Sequence, residues 1–405
     1  MIISGTSGNE IYCLSLKGLA VGEMVVGNSV FSLGLGGWLQ SMGITIAGGE
    51  VSQITQIIAE GRHAAIGRME QEAQKHGASG VAGVVSDVTS LAGYTEFLAQ
   101  GTAVHASDAG PFFSTSASGI DLYCHLDAGY TPVRFAMGNV AYSLGIGAGL
   151  RGSLRTMARG EVHEFSQMYS GVRHLALARL KEEAARYGAN SVVDLRLRVL
   201  PHVSAALELL ITGTAAFHPG LSSRPALPAN VVTSELTGEE LWNLAKLGFV
   251  PVSLVMGTSV YSLGLRGSVG SMFQAMSRGE LPELTSLVYH ARENCLDMVR
   301  REAAALGAER VLGNKLIIAE IAPGLIEIFA VGTAVRRVEG MQPATPELIV
   351  QAAIVDRESL QISAPAMPAG LGGASMNIGC LVAIALQVVW VVIAIVIGLL
   401  SALRR

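Results

Sequence analysis

An internal repeat limits this chain more than any other feature. The segment Gly27-Asn28-Ser29-Val30-Phe31-Ser32-Leu33-Gly34 returns as Gly138-Asn139-Val140-Ala141-Tyr142-Ser143-Leu144-Gly145 and again as Gly257-Thr258-Ser259-Val260-Tyr261-Ser262-Leu263-Gly264. The register then runs on without a gap. Gly49-Glu50 matches Gly160-Glu161 and Gly279-Glu280, Arg62 matches Arg173 and Arg292, and Glu72 matches Glu183 and Glu302. Gly77-Ala78 matches Gly188-Ala189 and Gly307-Ala308. After a shift of one residue, Gly101-Thr102-Ala103 matches Gly213-Thr214-Ala215 and Gly332-Thr333-Ala334. Self-similarity at this period means one supersecondary unit used three times. The units are expected at 1–104, 121–216 and 238–337, with 105–120 and 217–237 as surface connections rich in Ser, Gly and Pro.

Each unit opens on an extended apolar stretch, such as 248–256, where Pro251, like Pro132, suits an edge or strand start. A glycine-rich segment follows, then a helix. In the third unit Leu284, Leu287, Val288, Ala291, Cys295, Met298, Val299, Ala303 and Leu306 recur at spacings of three and four and form one helical stripe. Gly-Ala closes each helix, where glycine adopts the left-handed cap. Two strands, about 310–321 and 325–335 in the third unit, meet at a Pro-Gly turn. The expected fold class is therefore α+β, built from three β-α-β-β units. A three-stranded unit of this size has bare edges and a thin core, so oligomer formation is expected.

These anchors resemble the YbjQ family. The residues that carry the resemblance are the run 18–27, Gly48-Gly49, the helix with Arg62 and Glu72, Gly77-Ala78 and Gly101-Thr102-Ala103, with their counterparts in the other units. The resemblance implies a dodecin-like β-α-β-β fold in pentameric rings and carries a heavy-metal-binding label. Five chains with three units each close as stacked rings or as one wider ring; stacking is the expected form.

Charged residues make up only 15% of the chain and mean hydropathy is +0.45, against roughly 25% charge in ordinary soluble proteins. The run 378–402 is almost uninterrupted in apolar side chains and exceeds the ~20 residues that span a bilayer. It reads as a transmembrane helix, with Gln387 and Trp390 inside it, residues 338–377 as a linker and the repeats on the cytoplasmic side. Membrane lipid is then a partner. With net charge −4 and no long basic run, no nucleic-acid partner is expected.

No Ser/His/Asp, Cys/His or paired-carboxylate pattern recurs between units, so no catalytic residue is assigned and an enzyme is not expected. The four cysteines, Cys13, Cys124, Cys295 and Cys380, form no C-x-x-C pair. The glycine-rich segments lack a following Gly-Lys-Ser/Thr, which excludes a phosphate loop; their apolar residues, among them Leu33, Leu35 and Trp38, suit a packed or lipid-facing loop. For a heavy metal, the one cofactor the family label admits, the best position is the helix site that holds His63, His174 and Glu293. Arg62, Arg173 and Arg292, with Glu72, Glu183 and Glu302, are expected to pair between neighbouring units, because ten residues along a helix is about 15 Å. Loss of Arg292 is then expected to weaken assembly. The expected function is a membrane-anchored, homo-oligomeric scaffold of stacked pentameric rings, with heavy-metal binding or sensing as the alternative.

Overall fold

A computed structural model describes residues 1–32, 49–91, 94–108, 110–143, 160–201, 206–221, 227–263, 282–322 and 324–353. All of them lie in one compact body, 1–362.

The first unit runs α1 (Gly8–Ser15), β1 (Leu19–Phe31), β2 (Gly49–Glu50), α2 (Ser52–Lys75), β3 (Gly80–Leu91) and β4 (Tyr94–Ala106). The second repeats the order after a two-residue strand: β5 (Phe113–Ser114), α3 (Gly119–Asp127), β6 (Thr131–Ser143), β7 (Gly160–Glu161), α4 (His163–Arg186), β8 (Ser191–Pro201) and β9 (Ala206–Phe217). The third does so again: β10 (Val232–Thr233), α5 (Gly238–Lys246), β11 (Phe249–Ser262), α6 (Pro282–Ala305), β12 (Arg310–Ala322) and β13 (Leu325–Arg337), before a last turn of helix, α7 (Val350–Ala353). The mixed α+β class and the three tandem units are as the sequence implies.

Within a unit, the last strand sits between the other two in an antiparallel sheet: β1-β4-β3, β6-β9-β8 and β11-β13-β12. The long helix, 24 residues in each unit, lies across this sheet. The repeated Gly-Asn/Thr pair explains how close it lies. A Cβ on Gly27, Gly138 or Gly257 would come within 2.1 Å of the carbonyl of Ala65, Ala176 or Cys295. Only glycine lets strand and helix backbones meet there. Gly77, Gly188 and Gly307 end the helices at φ of 71°, 73° and 67°, the left-handed cap expected from the sequence.

The short helices α1, α3 and α5 were not expected. Each starts on a hydroxyl N-cap, Ser7, Ser118 or Thr237, that accepts the amide of the acidic residue three places on. The two connections also differ from expectation. Ser114, Thr115, Ser116 and Ala117 are buried, as are Thr233 and Ser234. Small hydroxyl residues fit here because their side chains satisfy backbone groups of the neighbouring sheets. Ser114 Oγ accepts the amide of Phe135, and Thr233 Oγ1 that of Leu254. Serine-rich composition was thus a mark of tight polar packing, not of a solvent-facing loop.

Among the described residues no helix is long and apolar enough to cross a membrane. The expected single-pass anchor is withdrawn, and with it the membrane localisation and the cytoplasmic placement that rested on it. Length and apolarity are necessary for a spanning helix and do not establish one. Residues 378–402, with Gln387 and Trp390, lie outside the described residues, as do the glycine-rich loops with Leu35 and Trp38.

Candidate assembly interface

The chemistry of this molecule gathers where one unit meets the next, and both junctions are built alike. Backbone pairing comes first. β2 of the first unit extends the second unit's sheet antiparallel to β6, with Glu50 opposite Tyr142. β7 does the same for β11, with Glu161 opposite Tyr261. In the other direction, β5 adds parallel to β3 and β10 parallel to β8. The second unit therefore has both sheet edges paired, by β2 and β10, whereas β1 of the first unit and β12 of the third are outer strands among the described residues.

Side chains seal the same seam. Arg62 reaches from α2 into the second unit and holds Glu208 through two bonds, Nε to Oε1 at 3.1 Å and Nη2 to Oε2 at 2.7 Å. Both side chains are 0% exposed. Asn139 donates to the same carboxylate, and Ser86 Oγ accepts from Arg62 Nη1. This forked geometry gives a buried guanidinium the partners it needs. One unit on, Arg173 Nη1 meets Glu327 at 2.5 Å and Thr258 at 2.7 Å, and its guanidinium lies 3.9 Å from the Phe329 ring centre. Arg62 and Arg173 thus pair across units with the strand glutamates Glu208 and Glu327. They do not pair with Glu183 and Glu302, the helix glutamates the sequence reading chose.

Those helix glutamates bridge the seam in another way. One oxygen of Glu183 accepts the amide of Met137 in its own unit; the other meets His63 Nε2 of the preceding unit at 3.0 Å. Glu302 holds the Met256 amide and meets His174 at 3.3 Å. These glutamate contacts push both histidines above their ordinary pKa, against the opposing effect of burial. Glu72 in the first unit holds the Val26 amide in the same way. His63, His174 and Glu293 stand on three different helices, α2, α4 and α6. Among the described residues no group of three His, Cys, Asp or Glu is placed to hold a metal ion.

Further polar contacts repeat. Thr55 Oγ1 accepts the Ala141 amide and Ser166 Oγ that of Val260, each at 2.9 Å. Glu10 accepts the Gly119 amide, and Asp121 that of Gly238, so α3 and α5 are each capped by the short helix of the preceding unit. One contact varies: Glu70 pairs with Arg134 at the first junction, whereas Lys181 meets Ser253 at the second. Asp127 ties Lys17 of the first unit, Trp242 of the third and Thr345 beyond the repeats together at 2.6–2.7 Å.

The two ends of the row carry the same parts with no further unit packed against them among the described residues. Arg292 is exposed, and among the described residues no ion pair involves it. On the first unit, Met24, Val26, Asn28 and Val30 are exposed, although the matching Phe135, Met137, Asn139 and Ala141, and Leu254, Met256, Thr258 and Val260, are all buried. One residue stands out within the second unit. Asp194, at φ 53°, sits where the other units have Gly83 and Gly313, and burial pushes its carboxyl up to about 6. The sequence reading missed it, though aspartate at a position held by glycine in the sister units was a visible sign.

A family model described as "Putative heavy-metal-binding", YbjQ, matches residues 6–107, 131–218 and 249–338, more than half of the chain. The chain belongs to this family. A tandem-repeat YbjQ chain of this kind has a relative in Mycobacterium tuberculosis, the encapsulin nanocompartment protein Rv1762c, 30% identical over 231 residues, or 55% of this chain and 85% of that protein. Shorter relatives match about one unit. The UPF0145 protein of Thermosipho africanus is 43% identical over 79 residues, 20% of this chain and 73% of its own length. The UPF0145 protein of Thermotoga maritima is 43% identical over 78 residues, 19% and 74%.

Proposed function

We propose that this chain is a structural subunit of a larger homo-oligomeric protein assembly, a scaffold with no catalytic step assigned to it. The observation that carries the reading is the inter-unit junction, in which two strand additions and a buried arginine–glutamate pair recur at both seams. A fold whose sheet edges accept strands from copies of itself is suited to building rows and rings. The name of the mycobacterial relative, a nanocompartment protein, supports the same direction.

Unlike units of one chain are neighbours here, joined side by side through their sheets. That favours the single wider ring over stacked rings with one kind of unit in each. Five chains is the stoichiometry the family resemblance implies. No residue is assigned to a heavy metal, since His63 and His174 are each engaged by a glutamate of the next unit. The test is the mass of the purified full chain by light scattering at micromolar concentration. A mass of several chains, five in the expected case, supports the scaffold, and a stable single-chain mass refutes it.

A further inference from the structure

The two unpartnered ends are complementary halves of the junction already seen twice inside the chain. We infer that a second copy of this chain docks its first unit onto the third unit of the first, head to tail, through a third copy of that junction. This rests on the scaffold reading and names the partner and the register.

Each internal contact predicts its intermolecular counterpart. Arg292 occupies the place of Arg62 and Arg173, while Glu96, which already accepts Asn28 Nδ2 as Glu208 accepts Asn139, occupies the place of Glu208 and Glu327. Arg292 and Glu96 of the next copy therefore form the pair. Ile2 and Ile3, exposed, align with Phe113-Ser114 and Val232-Thr233, the residues that add to the preceding sheet. Ile3 already accepts the Met24 amide, in the position where Ser114 and Thr233 accept those of Phe135 and Leu254. Among the described residues β12 is the outer strand of its sheet. Ile2 and Ile3 would then run parallel to Arg310 and Val311.

Charge supports this register. Arg300 stands in the place of Glu70 and Lys181, and Glu23 in that of Arg134 and Ser253, so the first junction's ion pair reappears with its polarity reversed. The apolar patch of Met24, Val26 and Val30 would be covered as in the other two units. Val30 is 51% exposed, although its counterparts Ala141 and Val260 are 0% exposed. One position opposes docking: Glu293 replaces the histidine and would face Glu72. Arg300, 3.8 Å from Glu293, is the nearby cation that offsets it. The intermolecular junction is thus weaker than the internal ones. It is also heterologous, so copies add in one direction and end in a ring if the rotation closes.

Charge reversal on the full chain tests this. Arg292→Glu and Glu96→Arg each place like charges across the seam, and each alone is expected to weaken self-association about a hundredfold. Far-UV circular dichroism like that of wild type, with a cooperative melt at a concentration where all are single chains, would show that both fold. The decisive arm is their equimolar mixture, in which one intact third unit meets one intact first unit. Recovery of oligomer mass only on mixing supports head-to-tail docking. In a second arm, Ile2→Cys with Arg310→Cys is expected to give covalent multimers on oxidation where wild type gives none. If wild type is oligomeric but neither reversal changes its mass and no cross-link forms, the docking is wrong and the scaffold reading stands. If wild type is a single chain, both fall.

Discussion

Arg173 and Arg292 hold the same step of the same helix in successive units. The first is sealed against Glu327, Thr258 and Phe329; the second stands in solvent. Their helices differ nearby, His174 against Glu293 and Tyr169 against Val288, but both present an arginine at the same step. The difference is whether another unit follows. In this fold the environment of a residue is set by the neighbour its unit receives, so equal residues have unequal energetics.

The sharpest way to break this comparison is to remove the arginines one at a time. Arg62→Ala takes the guanidinium away from the buried Glu208 carboxylate, and a loss of about 3–5 kcal/mol is expected. Arg292→Ala changes the stability of a single chain by less than about 0.5 kcal/mol. Urea denaturation at a concentration where the chain is monomeric measures both; similar values would end the distinction. Next in size is Asp127→Ala, which strips partners from Lys17, Trp242 and Thr345 and is expected to cost about 1–3 kcal/mol. Burial raises this carboxyl, but the bonds from Lys17, Thr345 and Trp242 outweigh burial and hold it below its ordinary pKa. Its contribution is therefore present above the unfolded value and lost as pH falls through the folded one.

Asp194→Gly should move the other way. Glycine relieves the positive φ and removes a buried carboxyl, so a gain of about 1 kcal/mol is expected by thermal unfolding. Because the folded pKa is raised to about 6, the parent protein is relatively more stable at pH 4 than at pH 7, and the gain in the variant is largest above pH 6. The smallest effect is that of His63→Gln and His174→Gln. Both histidines are raised by their glutamate contacts, so the stabilisation they add is full below the unfolded value and lost as pH rises through the folded one. Each side chain is 43% exposed, which limits the loss to a few tenths of a kcal/mol. A flat stability profile between pH 5 and 8 would remove the histidines from the junction.

The repeat, the long helices and the terminal strand pair were legible because glycine anchors and apolar spacing are local signals. The short helices were legible too, in Ser7–Glu10 and Thr237–Glu240, but a capping box before a brief run is easily passed over. The choice of glutamate was not legible. Arg62 lies ten residues from Glu72 and 146 from Glu208, and only the packing of one unit on the next selects the distant one. Arg62, Arg173 and Arg292 are legible in the sequence as charges kept in every unit, while Glu208 and Glu327, the strand partners of the first two, are not.

The variable contact, Glu70 with Arg134 and Lys181 with Ser253, has one more consequence. In a ring of identical single-unit proteins every seam must change together. Here each seam has its own polarity, so a unit carries an address. If the first unit of one copy tried to dock behind the first unit of another, Glu70 would confront Glu23 and the attempt would be repelled. Fusing three units into one chain thereby lets an otherwise repetitive surface encode order.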